Sequence, residues 1–435
     1  MSETFCARSW GLEFRVRGKR RPAGGPSPRP KPHAPNPAPR RVAAALAALV
    51  LFAAAVAPPA RAGENEFRYD WGVAYWMPYD NDLERGKEPI LKAIAKGVTN
   101  ARTAVAVQAD LGDLLGMHRI TVTPEGAKET LVASDDSADP DQLVAYLEWF
   151  IGQFRCRRYA VVIMNHGGGL DEMCLDDLPE TPGKNWMSGA ALGRKLRELK
   201  PKMPGKWELL FLQQCGRASL ENLYSFRGTA GLVMASPLRI GAPNTYYTEL
   251  HQFLEKTPEA AGGRVAEVIA AKDQHYFVYA CARGDRLAEL PGKLDAMLKP
   301  WIEKQNLTAP ERPAAIYQGK VGKGPLADAA AYLRSLAAAN AAGAPEVEEF
   351  LKWVKTDLLA ETWRSRHADA GMSKLCGLSL YVPADAGGAA ACNDLDIYKD
   401  SKLAELWRKL GAGEGRGRTP PEWQSLIDAA FGYPH

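Results

Sequence analysis

Two stretches of the chain share one pattern. Tyr159–Gly169, YAVVIMNHGGG, runs apolar through Met164, turns polar at Asn165 and His166, and ends in three glycines. Trp207–Phe226, WELLFLQQCGRASLENLYSF, runs apolar through Leu212, turns polar at Gln213 and Gln214, presents Cys215, and continues with helical spacing. Short uninterrupted apolar runs are the signature of strands buried on both faces. Similar runs predict strands at Asp70–Met77, Thr103–Gln108 and Gly231–Ser236, with an alternating, more exposed one at Arg119–Thr123. Helices are predicted from about Leu83 to Lys96, from Asp139 or Pro140 along a Leu143, Tyr146, Leu147, Phe150, Ile151 stripe, and near Gly189–Leu199. Gly167 to about Met187 reads as one long loop, and Thr248–Leu358 as largely helical. Near the end, Cys376–Val382 reads as a strand, Ala384–Asn393 as a Gly/Ala loop and Ser401–Leu410 as a helix. Strands alternating with helices predict an α/β fold, with a mostly parallel sheet covered on both faces. Ligand sites in such sheets form beyond the carboxyl ends of the strands, where His166 and Cys215 both fall.

Composition changes this picture mainly at the N-terminus. The chain has 435 residues and a net charge of +4, but the basic residues crowd the first 62. The remainder is close to neutral, so the basic balance does not indicate a nucleic-acid partner. Met1–Arg41 is basic and Pro-rich and cannot bury enough apolar area to fold. Val42–Ala57 is an uncharged run of 16 residues, followed by Ala60-Arg61-Ala62. The run is shorter than the ~20 residues of a membrane span and reads as a secretory signal. The alternative is an uncleaved anchor. The expected location is secreted or periplasmic, with membrane contact only through this segment. Six cysteines follow the lead: Cys156, Cys174, Cys215, Cys281, Cys376 and Cys392. Disulfides among them are open outside the cytoplasm. Cys174 reads as a loop disulfide or a free thiol, and no Cys/His spacing suits structural zinc.

The chemistry follows from pairing the two strand ends. A thiol attacks a carbonyl as thiolate, and free cysteine has a pKa near 8.5. Cys215 opens a predicted helix, whose N-terminus favours negative charge. His166 is placed to take the thiol proton and return it to the leaving amine. The amides of Gly167 and Cys215 are candidates for an oxyanion hole. The other histidines, His118, His251, His275 and His367, lack such a setting.

Several motifs, in order across Trp71 to about Leu410, resemble the clostripain-like cysteine peptidases, which share a caspase-type fold. WGVAYWMPYDNDLE is similar to that family's opening strand and loop, and DPDQLVAYLEWF to the helix before the histidine strand. YAVVIMNHGGG matches the histidine motif, and FLQQCGRASLE the nucleophile segment; CGLSLYVP and YKDSKLAELW match the late strand and closing helix. The resemblance implies His166 and Cys215 as the catalytic pair, with Glu221 as the matching glutamate. It implies a caspase-like three-layer sandwich with a helical C-terminal elaboration; with the removed lead over 1–62, this gives a peptidase domain over 63–415 and a tail over 416–435. It further implies a peptide or protein substrate and self-cleavage in the loop between the two motifs, with Lys184 as a candidate point. Calcium is needed by some members, although the sequence itself requires no cofactor. Asp171, Asp176, Asp177 and the loop Asp135–Asp141 would supply its ligands, or are solvated acidic loops. The oligomeric state is left open.

The chain departs from the family where substrate binding is expected. The family has aspartate two positions before the cysteine, holding a substrate arginine or lysine; this chain has Gln213. Ser236-Pro237-Leu238 stands where acidic residues follow the serine. Gln213 and Ser236 are therefore the candidate substrate-binding residues, with primary specificity altered from Arg/Lys. Gln213-Gln214-Cys215-Gly216 also echoes the Q-A-C-x-G pattern of caspases, where glutamine and arginines hold an aspartate; Arg217 and Arg239 would be the arginines. The expected activity is cysteine endopeptidase through a thioacyl-enzyme. The alternative is a catalytically inactive peptide-binding protein on the same scaffold.

Overall fold

The computed structural model describes residues 67–112, 116–134, 136–177, 185–310, 315–317, 325–383 and 386–411, which belong to one compact unit. The lead over 1–62, the tail over 416–435, Lys184 and Asp135 lie outside the described residues.

The apolar runs form strands, and the described strands fall in three sheets. In chain order these are β1 (Tyr69–Pro78), β2 (Thr103–Asp110), β3 (His118–Thr123), β4 (Gly126–Leu131) and β5 (Cys156–Met164). Then follow β6 (Glu172–Asp176), β7 (Asn185–Ser188), β8 (Lys206–Gln213), β9 (Leu232–Ala235) and β10 (Val278–Arg283). The last four are β11 (Ala315–Tyr317), β12 (Leu326–Asp328), β13 (Leu359–Arg364) and β14 (Ser379–Tyr381). A nine-stranded sheet runs β13-β10-β9-β8-β5-β1-β2-β3-β4. Its centre, β9-β8-β5-β1-β2, is parallel, and antiparallel pairs extend both flanks.

Alternation within the central strands feeds two cores. Trp71, Val73, Tyr75 and Met77 of β1 face one way, and Ala74 and Trp76 the other. Helices α1 (Lys87–Gly97), α2 (Pro140–Gln153), α3 (Gly189–Leu199), α4 (Leu220–Ser225), α5 (Tyr247–Lys256) and α6 (Gly262–Lys272) cover the faces. Ile90 and Ile94 of α1, Leu250 of α5 and Ile269 of α6 pack on the first face. The Leu143–Ile151 stripe of α2, Leu192 and Leu196 of α3, and Leu223 of α4 pack on the second. The result is a three-layer α/β sandwich. The helices α7 (Leu290–Ile302), α8 (Ala329–Asn340) and α9 (Ala344–Trp353) extend the second core. With them goes a small antiparallel sheet, β11-β12-β14.

Two sequence expectations are corrected, and a third is refined. The stretch 167–187 is not one loop, because β6 and β7 pair as an antiparallel hairpin; its strands are too short and mixed in polarity to signal themselves. The segment 248–358 is largely helical, as expected, and also holds the short strands β10, β11 and β12. β10, VYACAR, opens on strand-favouring Val and Tyr but runs on through Ala, which is depleted in strands; pairing with β9 and β13 fixes it. The late Gly/Ala stretch contains a helix, α10 (Ala386–Ala391), since alanine favours helix wherever glycine does not prevail.

The C-terminal elaboration is fastened to the helix that follows Cys215. Ser219 caps α4 by accepting from the Asn222 amide (3.1 Å). The Ser379 amide donates to the Ala218 carbonyl (2.9 Å). Glu221, 1% exposed, accepts from the Tyr381 amide (3.0 Å) and the Tyr398 hydroxyl (3.1 Å). Burial raises the Glu221 carboxyl above its ordinary value. Folding therefore favours its protonated form, and the stability it contributes is lost as pH rises from about 4.5 through the raised value. Glu221→Gln keeps the acceptor and removes this dependence. Its melting temperature should gain on wild type as pH is raised above about 4.5; a difference that does not change with pH would refute the assignment.

Candidate active site

Strands β5 and β8 are parallel neighbours in a register that sets Met164 opposite Gln213. Two residues further on, each chain presents its chemistry: His166 from one, Cys215 from the other. Both therefore lie in the segments that leave the carboxyl edge of the sheet from neighbouring strands.

The Cys215 sulfur lies against the Ile240 backbone, 3.4 Å from the amide and 3.6 Å from the carbonyl oxygen, and stays partly accessible. All six cysteines after the lead are free thiols here, so no disulfide joins them. Burial pushes the other five, Cys156, Cys174, Cys281, Cys376 and Cys392, up to about 12. They are poor nucleophiles near neutral pH. Cys174, with a left-handed backbone (φ 48°), receives a hydrogen bond from the Gln214 amide (3.0 Å) and so lies directly beneath the Cys215 loop.

The His166 ring bonds through Nε2 to Asp82 Oδ1 (2.5 Å). Asp82 comes from the loop after β1, and β1 is the strand beside β5. That loop is cross-braced: Asn81 donates to the Leu175 carbonyl (3.0 Å) and to Asn165 Oδ1 (3.3 Å), and accepts from the Leu83 amide (3.0 Å). Asn165 donates to Leu175 O (2.8 Å) and to Pro78 O. The YDND segment reads from sequence only as a loop. Its role becomes visible once β1 is known to neighbour β5.

Arg217 joins the two loops. It is fully buried, and its donors reach backbone carbonyls on both sides: Cys215 (3.1 Å), Glu172 (2.9 Å), Gly168 (3.1 Å) and Gly169 (2.8 Å). It is therefore a structural clamp, and the expectation that it holds a substrate carboxylate is corrected. Arg239 remains partly exposed, close enough to act electrostatically on Tyr317. Gly167 is pressed onto the Cys215 carbonyl, where a Cβ would lie 2.0 Å from that oxygen. Tyr317 of β11 packs its ring on Gly216 (φ +68°), 2.2 Å from where a Cβ would stand, and donates to the Gly167 carbonyl (2.5 Å). Nothing in the sequence around Tyr317 points to this position.

Gln213 is buried, with its carboxamide engaged at both ends. It donates to Asn244 Oδ1 (2.7 Å) and the Tyr247 hydroxyl (2.9 Å), and accepts from the Tyr246 hydroxyl (2.5 Å). Behind it Asn244 donates to Asp273 (2.6 Å), as does Tyr279 (2.7 Å). Ser236 is buried too, its hydroxyl accepting from the Leu238 amide (3.1 Å).

The acidic residues separate into different roles. Asp171 ties the start of α3, accepting from Ala190 N (2.7 Å) and the Ser188 hydroxyl (2.5 Å), and Asp139 caps α2 through Asp141 N (2.8 Å). Asp176 instead converges with Asp80 and Asp110, carboxylate oxygens of all three lying within 4.8 Å of one another. Burial first, then the neighbouring carboxylates, raises Asp110 to about 7 and Asp176 to about 6.

This architecture is that of the caspase-like α/β sandwiches found in C11, or clostripain-like, cysteine proteases. An inactive zymogen C11 protease from Parabacteroides distasonis matches with a TM-score of 0.60 at 19% identity, over 76% of this chain and 98% of that one. A secreted C11 cysteine protease from Bacteroides thetaiotaomicron, in complex with an irreversible peptide inhibitor, matches at 0.58 and 14% identity, over 78% and 99%. No family model and no curated protein matches the chain. At these identities the likeness is one of fold.

Arg217→Met should leave several buried carbonyls unpaired and release the two loops from each other. A hydrogen bond to a charged group contributes about 1.5–3 kcal/mol, so the expected loss of stability is at least about 3 kcal/mol in denaturant unfolding. A loss below about 1 kcal/mol would show that the clamp carries little.

Proposed function

We propose that this protein is a secreted cysteine endopeptidase acting through Cys215 and His166. The observation that carries the reading is the β5–β8 register, in which parallel neighbours end side by side at Met164 and Gln213, each two residues before His166 or Cys215. It is supported by a fold shared with cysteine proteases, one of them crystallised with an irreversible peptide inhibitor. Secretion rests on the lead over 1–62; among the described residues no helix is long and apolar enough to cross a membrane.

In this reading His166 takes the Cys215 proton, and the thiolate attacks the peptide carbonyl carbon. The amides of Gly167 and Cys215 hold the resulting oxyanion, each donor worth about 3 kcal/mol in the transition state. The C–N bond breaks, His166 returns the proton to the leaving amine, and a thioester remains on Cys215. Water, deprotonated by His166, then releases the acid and regenerates the thiol. Asp82 acts on the far side of the ring. It accepts the Nε2 proton, fixes the tautomer that leaves Nδ1 basic, and stabilises the imidazolium.

The primary pocket is read as preferring uncharged side chains. Gln213 offers no carboxylate to a substrate arginine or lysine, and losing such a partner in a buried pair costs about 3–5 kcal/mol. Full engagement of its carboxamide by Asn244, Tyr246 and Tyr247 supports this.

Iodoacetamide is expected to alkylate Cys215 ahead of the other five thiols, and Cys215→Ala to abolish cleavage of a peptide library. Cleavage that survives Cys215→Ala would overturn the assignment, and saturable binding of intact peptides would mark a binding protein instead. In the same digest, cuts should not concentrate after Arg or Lys; a dominant Arg/Lys signature would remove the specificity reading alone. Asp82→Asn should lower kcat by about 10²-fold or more with little change in KM, measured on whichever peptide the library selects.

A further inference from the structure

We infer that Tyr317 is a positioning residue for the proposed reaction, holding the turns that follow His166 and Cys215; its catalytic effect rests on the peptidase reading above. Two contacts place it there. Its hydroxyl donates to the Gly167 carbonyl (2.5 Å). Its ring lies on Gly216, with ring carbons 2.2 and 2.3 Å from where a Cβ would stand. Gly167 follows His166 and Gly216 follows Cys215, so one side chain meets both turns one residue past the reactive group. Arg217 satisfies the carbonyls of Cys215, Gly168 and Gly169. The Gly167 carbonyl is not among its partners, and Tyr317 supplies that donor. Inward-facing carbonyls need such partners before two turns can close on each other.

The chemistry depends on how these turns are held. Glycine leaves the backbone free to choose among many conformations, so the run Gly167–Gly169 cannot fix its own geometry. Bonding the Gly167 carbonyl restrains the residue whose amide is read as an oxyanion donor. On the other turn, Gly216 stands at φ +68° and donates to the Leu238 carbonyl (3.0 Å). The Tyr317 ring against it restrains the Cys215–Gly216 peptide. A misplacement of ~1 Å at a reacting group can cost about 10²-fold in rate. Burial first, then the neighbouring Cys215, raises the Tyr317 hydroxyl above its ordinary value, so it stays protonated and keeps donating.

Tyr317 is itself anchored. It pairs with Leu326 of β12, and Asp328 of β12 pairs with Ser379 of β14. The Ser379 amide donates to the Ala218 carbonyl (2.9 Å), and Ser379 bridges Ser219. The small sheet therefore meets the nucleophile segment at both ends, through β14 at Ala218 and Ser219 and through β11 at Gly216. The C-terminal elaboration acts on the site through this one side chain.

The test compares the full chain as wild type, Tyr317→Phe and Tyr159→Phe. Tyr159 also gives its hydroxyl to a backbone carbonyl, that of Phe154 (2.8 Å), but at the end of β5 away from His166. On the peptide the library selects, Tyr317→Phe should lower kcat about 10- to 100-fold with KM within about twofold. Alkylation of Cys215 by iodoacetamide forms no oxyanion and should keep its wild-type rate. Tyr159→Phe should lose stability and keep kcat. A wild-type kcat in Tyr317→Phe, or an equal loss in Tyr159→Phe, would overturn the catalytic effect. Hydrogen exchange over residues 166–169 reads the positioning without any cleavage. It should quicken in Tyr317→Phe, also on a Cys215→Ala background, and unchanged exchange would overturn the proposal. Wild type that cuts no peptide removes the peptidase reading, and the exchange result still decides the positioning. Should Tyr317→Phe fail to fold, 3-fluorotyrosine at position 317 takes its place. Its fluorine resonance should shift when iodoacetamide modifies Cys215, and no shift would overturn the contact.

Discussion

The buried guanidinium of Arg217 makes two separate loops into one site. A parallel sheet fixes where His166 and Cys215 leave their strands, but not how the following turns sit against each other. Each turn ends with backbone carbonyls directed inward, at Gly168 and Gly169 on one side and Cys215 on the other. Left unpaired, such carbonyls oppose closure. Arginine resolves this because its donors spread in a rigid fork that spans both turns, which a lysine would not do. Gly167 follows from the same constraint, since a side chain there would force the Cys215 carbonyl away. So does Gly216, whose positive φ and missing Cβ admit the Tyr317 ring.

The parts of this site that were legible in the sequence are those a strand announces locally. An apolar run that stops at Asn165-His166, and another that stops at Gln213-Gln214-Cys215, mark both candidate residues before any fold is known. The α2 cap at Asp139 and its apolar stripe are equally local. What could not be read depends on which strands become neighbours. Asp82 matters because β1 inserts beside β5, and Asp80 meets Asp110 and Asp176 because β1 lies beside β2 and beneath the β6 hairpin. Tyr317 comes from a short strand some hundred residues past Cys215, attached through β12 to β14. Arg217 was visible as a charge next to the cysteine. Its burial was not, and burial reverses its meaning from substrate contact to clamp.

Gln213 shows how far a single polar exchange spreads. A carboxylate offers only acceptors, whereas a carboxamide also brings donors that must be answered. Here Asn244 and Tyr247 accept from it and Tyr246 donates to it. Asn244 then passes its own amide to Asp273, which Tyr279 also addresses. The negative charge in this region therefore sits one layer behind Gln213, shielded by an amide and two phenols. A substrate side chain arriving at Gln213 would meet groups already bonded to one another, and buried networks of this kind resist rearrangement because each broken bond strands a polar group.

The loop after β1 carries two opposed electrostatic demands within three residues. Asp82 stands at the solvent edge, where its charge is cheap and faces the His166 ring. Asp80 turns inward, toward carboxylates already raised by burial. Asn81 between them separates the two by holding the backbone on Leu175 and Asn165. Anything that pulls Asp80 inward is thereby resisted by the same brace that holds Asp82 on the histidine. One asparagine thus braces the segment between a carboxylate that faces the buried cluster and the carboxylate that holds the His166 ring.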